Sequence, residues 1–370
     1  MTDAGRPVDG LSHGGAGDAS PDPEADTPPP VTDLPAGPDG VPAEPDEPPL
    51  DADGQPRLTP FGLAGRAVPA VYLVAWIASL VGVGAMAVSI MGSQNPFARW
   101  LFVVGLVFLG VGLLAAAGSQ ATERGRRRSL PFRGPSPVLA FAAVVVVTLL
   151  ASLVALAPLG ALGVDPGGPL GTAVSLGVTT VVFVGVVRVL VVGTGSLTWA
   201  EMGFSRQPAG IAADLGTGAL LAVPVVVVEL LLVSVMVSFV GTPASPLPPA
   251  TSIGALVLNL LSAAILAPLG EEVFFRGYTT TAWARAVGAR GAIVRGALFF
   301  SFAHITTLFA TSFQTGLAAA VSQYVALLPA GLALGWVFLQ RRSIWAAFAL
   351  HGAYNALIVL LAFAATAGRA

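Results

Sequence analysis

The stretch Leu260–Tyr278, LLSAAILAPLGEEVFFRGY, sets two adjacent carboxylates, Glu271 and Glu272, directly behind an apolar run, with Arg276 one helical turn further on. Ionisable groups inside an apolar segment are expensive, so they face a bundle interior or a wet cavity. The chain offers them few partners. Its 3 histidines are His13, in a polar stretch, and His304 and His351, each in a later apolar segment. Two glutamates and two histidines brought together inside a membrane would make a reactive centre.

Composition sets the surroundings of that segment. The 370 residues are 55% hydrophobic and 10% charged, with a mean hydropathy of +0.80. Soluble domains carry about 25% charged residues, so most of this chain sits in lipid. The fold class expected is an all-α polytopic membrane protein, a bundle of about 8–9 transmembrane helices with a disordered N-terminal tail. With no cysteine there are no disulfides, no thiolate catalysis and no cysteine metal sites. All 18 basic residues are arginine. Together with the Ala, Gly and Val excess, this is the bias of GC-rich coding and points to a bacterial source.

Charge is unevenly spread: residues 1–69 hold 13 acids against 3 arginines, and the remainder 7 acids against 15 arginines. Residues 1–66 also hold 14 of the 30 prolines and show no apolar periodicity. They read as a disordered, acidic, Pro-rich cytoplasmic tail, unable to bury enough surface to offset chain entropy. Residues 67–136 read as an N-terminal transmembrane hairpin with a basic loop, and 137–370 as the main membrane domain. Apolar spans near the roughly 20 residues that a bilayer core requires fall at 68–92, 98–118, 137–162, 170–194, 211–241, 252–275, 291–311, 316–340 and 343–367. The sixth is expected to continue as a helix toward Arg285, and Asp214 to mark an interfacial first turn of the fifth.

Arginine placement orients these spans. The loop after the second holds Arg124, Arg126, Arg127, Arg128 and Arg133, and alternate counting puts Arg66, Arg206, Arg285, Arg290, Arg295, Arg341 and Arg342 on the same side. Only Arg99 and Arg369 fall opposite. By the positive-inside rule the N-terminus is cytoplasmic, and a multi-pass protein of the plasma membrane is expected. His304 lies nine residues beyond Arg295, and His351 nine beyond Arg342. At the helical rise each is roughly 13 Å in from that boundary, and Glu271 and Glu272 roughly 20 Å. The four can meet at one level.

Three patterns therefore coincide: E-E-x-x-x-R at Glu271–Arg276, F-x-x-x-H at Phe300–His304, and H-x-x-x-N at His351–Asn355. In this order, on successive hydrophobic spans, they resemble the CAAX protease and bacteriocin-processing family, CPBP, also called Abi. The resemblance covers roughly residues 195–367. It implies an intramembrane endopeptidase, a hydrolase of glutamate or metalloprotease type, with a peptide or membrane-protein substrate in the lipid bilayer and no nucleic acid partner. It further implies that Glu271 and His304 activate water while His351 and Asn355 support the oxyanion or a metal. Eukaryotic relatives trim prenylated tails; a bacterial source favours peptide or membrane-protein processing instead.

The residues support the same chemistry. Glu272 and Arg276 are an i,i+4 pair on one helical face, which leaves Glu271, about 100° round the helix, free to act as general base toward water. His351 and Asn355 share a face and offer donors to a tetrahedral oxyanion. Glu271, His304 and His351 are ligand types that a divalent metal such as Zn2+ accepts, yet no H-E-x-x-H spacing occurs, and the sequence leaves metal dependence open. Taken singly, each motif also reads as packing: a structural ion pair, or interhelical hydrogen bonds. A non-hydrolytic immunity or scaffold protein, or a proton-coupled transporter, is the alternative. Phe274, Phe275, Phe299, Phe300 and Phe302 read as packing or lipid contacts, and Glu229, toward the outer half of its span, does not pair by depth with Arg188 and has no role assigned from sequence.

Overall fold

The computed structural model describes residues 54, 61–63, 65–92, 97–204, 207–240, 247–306 and 313–367. The chain divides into residues 1–47, outside that set, and a unit of residues 48–370. The tail expected over 1–66, with His13, lies almost wholly outside the described residues, as do Arg206 and Arg369.

Every regular element described is helical. In order these are α1 (Pro69–Met91), α2 (Ala98–Arg126), α3 (Pro137–Ala161), α4 (Pro169–Val187), α5 (Pro208–Val240), α6 (Ile253–Leu261), α7 (Ala267–Glu272), α8 (Thr281–Ile305), α9 (Phe313–Arg341) and α10 (Ile344–Ala367). Four π-helical segments join or extend them: Arg188–Val192, Ala200–Phe204, Ser262–Leu266 and Val273–Thr280. Proline opens α1, α3 and α4, where its missing N–H costs nothing. Ser252 caps α6, its hydroxyl accepting from the Ala255 N–H at 3.2 Å.

Eight helices among the described residues are long and apolar enough to cross a membrane. Seven correspond to single expected spans. The eighth, Ile253–Ile305, takes in both the sixth and the seventh. Gly288 explains how one helical run serves as two. Its φ of 77° and ψ of 169° lie in a region that is essentially glycine-only, and the chain doubles back there. Phe299, beyond the bend, packs edge-on against Phe275 and Trp283, with ring centroids 5.7 and 5.5 Å apart. Two antiparallel legs result, one carrying the glutamates and the other His304.

Lipid tails are as apolar as leucine, so helix contacts in a bilayer rest on close packing and hydrogen bonds. Residues such as Leu80, Val154 and Leu220 are accordingly left exposed, as a lipid-facing surface requires. At the centre an aromatic cluster of Phe141 from α3, Phe183 from α4, and Phe274, Phe275 and Phe299 has ring centroids 5.1 to 6.5 Å apart. The Tyr278 hydroxyl donates to the Pro135 carbonyl at 2.8 Å, tying the glutamate leg to the start of α3.

Charged pairs lock the helix ends. Asp214 is completely buried and accepts from Arg341 Nε at 2.8 Å and Nη2 at 2.7 Å, joining the start of α5 to the end of α9. Asp214, expected in the first turn of the fifth span, is there a buried clamp whose counter-charge Arg341 supplies. Arg66 pairs with Glu123 at 3.0 Å. Glu201 and Thr198 form a reciprocal cap, and Arg285 reaches the same carboxylate. Partial burial would raise the Glu201 carboxyl, but these hydrogen bonds and the Arg285 charge hold it below its ordinary value.

Candidate active site

The glutamates sit on α7, a single short helix between two π-helical segments. A π-turn inserts one residue and rotates the helix beyond it about the axis, and such turns gather at functional sites. In the first, Ser262–Leu266, the Ala267 N–H reaches the Ser262 carbonyl, five residues back. In the second, Val273–Thr280, every residue is buried. Two glycines let neighbouring helices close on this segment. A Cβ on Gly270 would lie 2.7 Å from Thr180 Cα of α4, and one on Gly352 of α10 would lie 2.5 Å from the Ala264 carbonyl.

Glu272 is the sealed member of the pair. Its Oε1 accepts from Arg276 Nη1 at 3.1 Å and from His351 Nδ1 at 2.7 Å. Glu272, Arg276 and His351 are 1%, 2% and 4% exposed. A charge so deep in a bundle persists only when paired and hydrogen-bonded, and the expected i,i+4 pair supplies this. The Arg276 guanidinium also lies over the Phe300 ring, 4.2 Å from its centroid. That ring in turn touches His304 and His351, at 4.4 and 5.6 Å between centroids. Phe300, read from sequence as packing, is therefore a wall of the site.

Hydrogen bonds fix both imidazoles. His304 Nδ1 faces the Phe300 carbonyl at 2.8 Å, and His351 Nδ1 faces the Glu272 carboxylate. Both partners only accept, so in each neutral ring Nδ1 holds the proton and Nε2 is a lone pair. The two Nε2 atoms converge on one oxygen: Glu271 Oε2 is 3.5 Å from that of His304 and 3.9 Å from that of His351. Three electron-rich atoms in so small a space repel unless a proton or a cation lies among them. Glu271 Oε2, Glu272 Oε2 and Arg276 Nη2 are buried with no hydrogen-bond partner among the described residues. A water molecule donating to Glu271 Oε2 would satisfy an acceptor left unmet among the described residues. Glu271 and His304 have side chains 14% and 26% exposed, so they form the accessible side.

The fit to a metal is poorer. Tetrahedral zinc at bond lengths of roughly 2.1 Å holds its ligands about 3.4 Å apart. The Glu271–His304 edge comes close to this and the Glu271–His351 edge is longer. Among the described residues no group of three His, Cys, Asp or Glu is disposed to hold a metal ion.

Asn355 lies one turn beyond His351, but its Nδ2 donates to the Ala263 carbonyl at 2.7 Å. The site thus gathers Glu271, Glu272, Arg276, His304 and His351, with Asn355 against the backbone of the first π-turn. Sequence reading missed Thr180, whose hydroxyl donates to the Leu266 carbonyl; nothing in its apolar span marked it out. Glu229 of α5, without a partner from sequence, accepts from the Tyr354 hydroxyl of α10.

An all-helical membrane bundle enclosing a buried Glu/His cluster is the class of protein that fold and site define. Residues 253–357 match the family model described as type II CAAX prenyl endopeptidase Rce1-like. The matched segment holds all three motifs, from Glu271 to Asn355, so the likeness to that family falls on the residues of the site. No curated protein and no solved structure matches the chain.

Proposed function

We propose that this protein is an intramembrane endopeptidase that hydrolyses a peptide bond near the cytoplasmic leaflet, using a water held between Glu271 and His304. The observation that carries the reading is the convergence of two imidazole Nε2 lone pairs on Glu271 Oε2. A water there gives one proton to Glu271 as its oxygen attacks the scissile carbonyl carbon. The resulting oxyanion forms beside the positive charge of Arg276, whose Nη2 is a buried donor with no partner among the described residues. Collapse breaks the C–N bond, and the proton on Glu271 passes to the leaving nitrogen. The products are a carboxylic acid, which carries the second water proton and gives it up on ionising, and a free amine. Glu272 acts beneath, holding His351 in the tautomer that presents Nε2.

The substrate is a peptide or membrane-protein segment entering from lipid; the family description supports a C-terminal tail among the candidates. The test uses purified full-length protein in detergent with a peptide library in H2-18O, wild type beside Glu271→Gln. Cleavage by wild type alone, with one 18O in the new carboxylate, supports the reading. Absence of cleavage by folded wild type across the library rejects it. Sidedness is tested separately, because the chain contains no cysteine. A Ser129→Cys variant should react with a membrane-impermeant maleimide only when the cytoplasmic face is open, and labelling from outside would reverse the orientation.

A further inference from the structure

We infer that Asn355 is a positioning residue: its amide replaces the backbone N–H that Pro268 lacks and so holds the π-turn that aims Glu271. This rests on the endopeptidase reading for its effect on rate, though not for its structural content.

The first π-turn closes with the Ala267 N–H on the Ser262 carbonyl, five residues back. In that register the next donor is residue 268 and the next acceptor is the Ala263 carbonyl. Residue 268 is proline and has no N–H to give. The Asn355 Nδ2 donates to that same carbonyl at 2.7 Å, from a helix 92 residues away in sequence. A backbone carbonyl left unmet inside a bundle costs as much as a lost hydrogen bond, and in lipid no water replaces it.

Two neighbouring carbonyls also meet the flanking helices. That of Leu266 accepts from the Thr180 hydroxyl, and that of Ala264 faces Gly352, where any Cβ would come within 2.5 Å. Helices α4 and α10 therefore clamp the irregular turn from two sides. Glu271 stands three residues past Pro268 on the helix that this turn launches. A change of bonding register by one residue would rotate Glu271 away from both Nε2 atoms. One of the two Nδ2 hydrogens of Asn355 is committed to Ala263, and that bond makes the residue a support for the base.

The decisive experiment is a double-mutant cycle on the full-length protein. In the Pro268 background, Asn355→Ala should lower kcat on the order of a hundredfold, the size expected when a reacting group is displaced by about 1 Å, with KM little changed. Pro268→Ala restores an N–H at that position, so Pro268→Ala/Asn355→Ala should recover at least tenfold over Asn355→Ala. Equal loss in both backgrounds would overturn the inference and return Asn355 to direct contact with the reacting atoms. A second measurement needs neither the proline variant nor activity. Hydrogen exchange over residues 262–272 should quicken in Asn355→Ala and stay unchanged in His304→Ala. Unchanged exchange in a folded Asn355→Ala protein would equally overturn the inference. If wild type cleaves nothing, the proposed function fails while the exchange result still decides the role of Asn355.

Discussion

Glu272 and His351, 79 residues apart in the chain, share a hydrogen bond of 2.7 Å in a region closed to solvent. The same carboxylate oxygen binds Arg276, so Glu272 joins two helices and a counter-charge at one atom. Removing one member leaves another charged and alone.

Stability should reflect this. Glu272→Ala strands a buried guanidinium and should cost about 3–5 kcal/mol, seen as a lowered unfolding midpoint in detergent. The double variant Glu272→Gln/Arg276→Met should be less destabilised than Glu272→Ala, because neither charge then remains unpaired. A double variant worse than the single one would mean that the two residues do not act as a pair.

Glu271 should behave in the opposite way. With its Oε2 unmet by any hydrogen bond among the described residues, Glu271→Gln should leave the unfolding midpoint within a degree or two while cleavage falls by roughly 10²–10⁴-fold, the share general base catalysis contributes. His304→Ala should show a similar loss. Combining the two should add little, since residues acting on one water are not additive; multiplicative losses would place them on separate steps.

Chelators separate water activation by side chains from metal chemistry. Cleavage should persist after prolonged treatment with EDTA and 1,10-phenanthroline, with no stoichiometric metal by elemental analysis. Loss of activity that zinc restores would assign Glu271, His304 and His351 as ligands instead.

Gly288 should tolerate no side chain. Gly288→Val must leave a φ of 77° or bear backbone strain of about 1–3 kcal/mol, and the yield of folded protein should drop. Gly216→Ala, at a helical position with open space around it, should be neutral or slightly stabilising. If Gly288→Val folds as well as wild type, the bend is not what joins the two legs.

Much of this was legible in the sequence because membranes make polar residues conspicuous. Glu271, Glu272, Arg276, His304 and His351 stood out as charges or imidazoles in apolar runs, and regular helical rise was enough to place them at one depth. The i,i+4 relation of Glu272 to Arg276 is local and survives a π-turn. Sequence could not show the features that depend on contacts between distant helices. Glu272 also holds His351, so the histidine read as an oxyanion donor presents a lone pair in the neutral ring. Asn355, expected to face an oxyanion or a metal, also donates one amide hydrogen to the Ala263 carbonyl. Thr180 and Gly270 carry no chemical mark, and their roles arise from where α4 crosses α7. The partner of Asp214, Arg341, lies 127 residues on, so their pairing was not legible locally.

The hairpin at Gly288 has a bearing on how the protein is made. Helices emerge from the ribosome in order, so Glu271, Glu272, Arg276 and His304 enter the bilayer as one folded unit before α9 and α10 exist. At that stage the water site lacks His351, and the π-turn below it lacks Asn355. On the proposed mechanism, a nascent chain thus carries Glu271 before the α10 residues that complete its surroundings have been made.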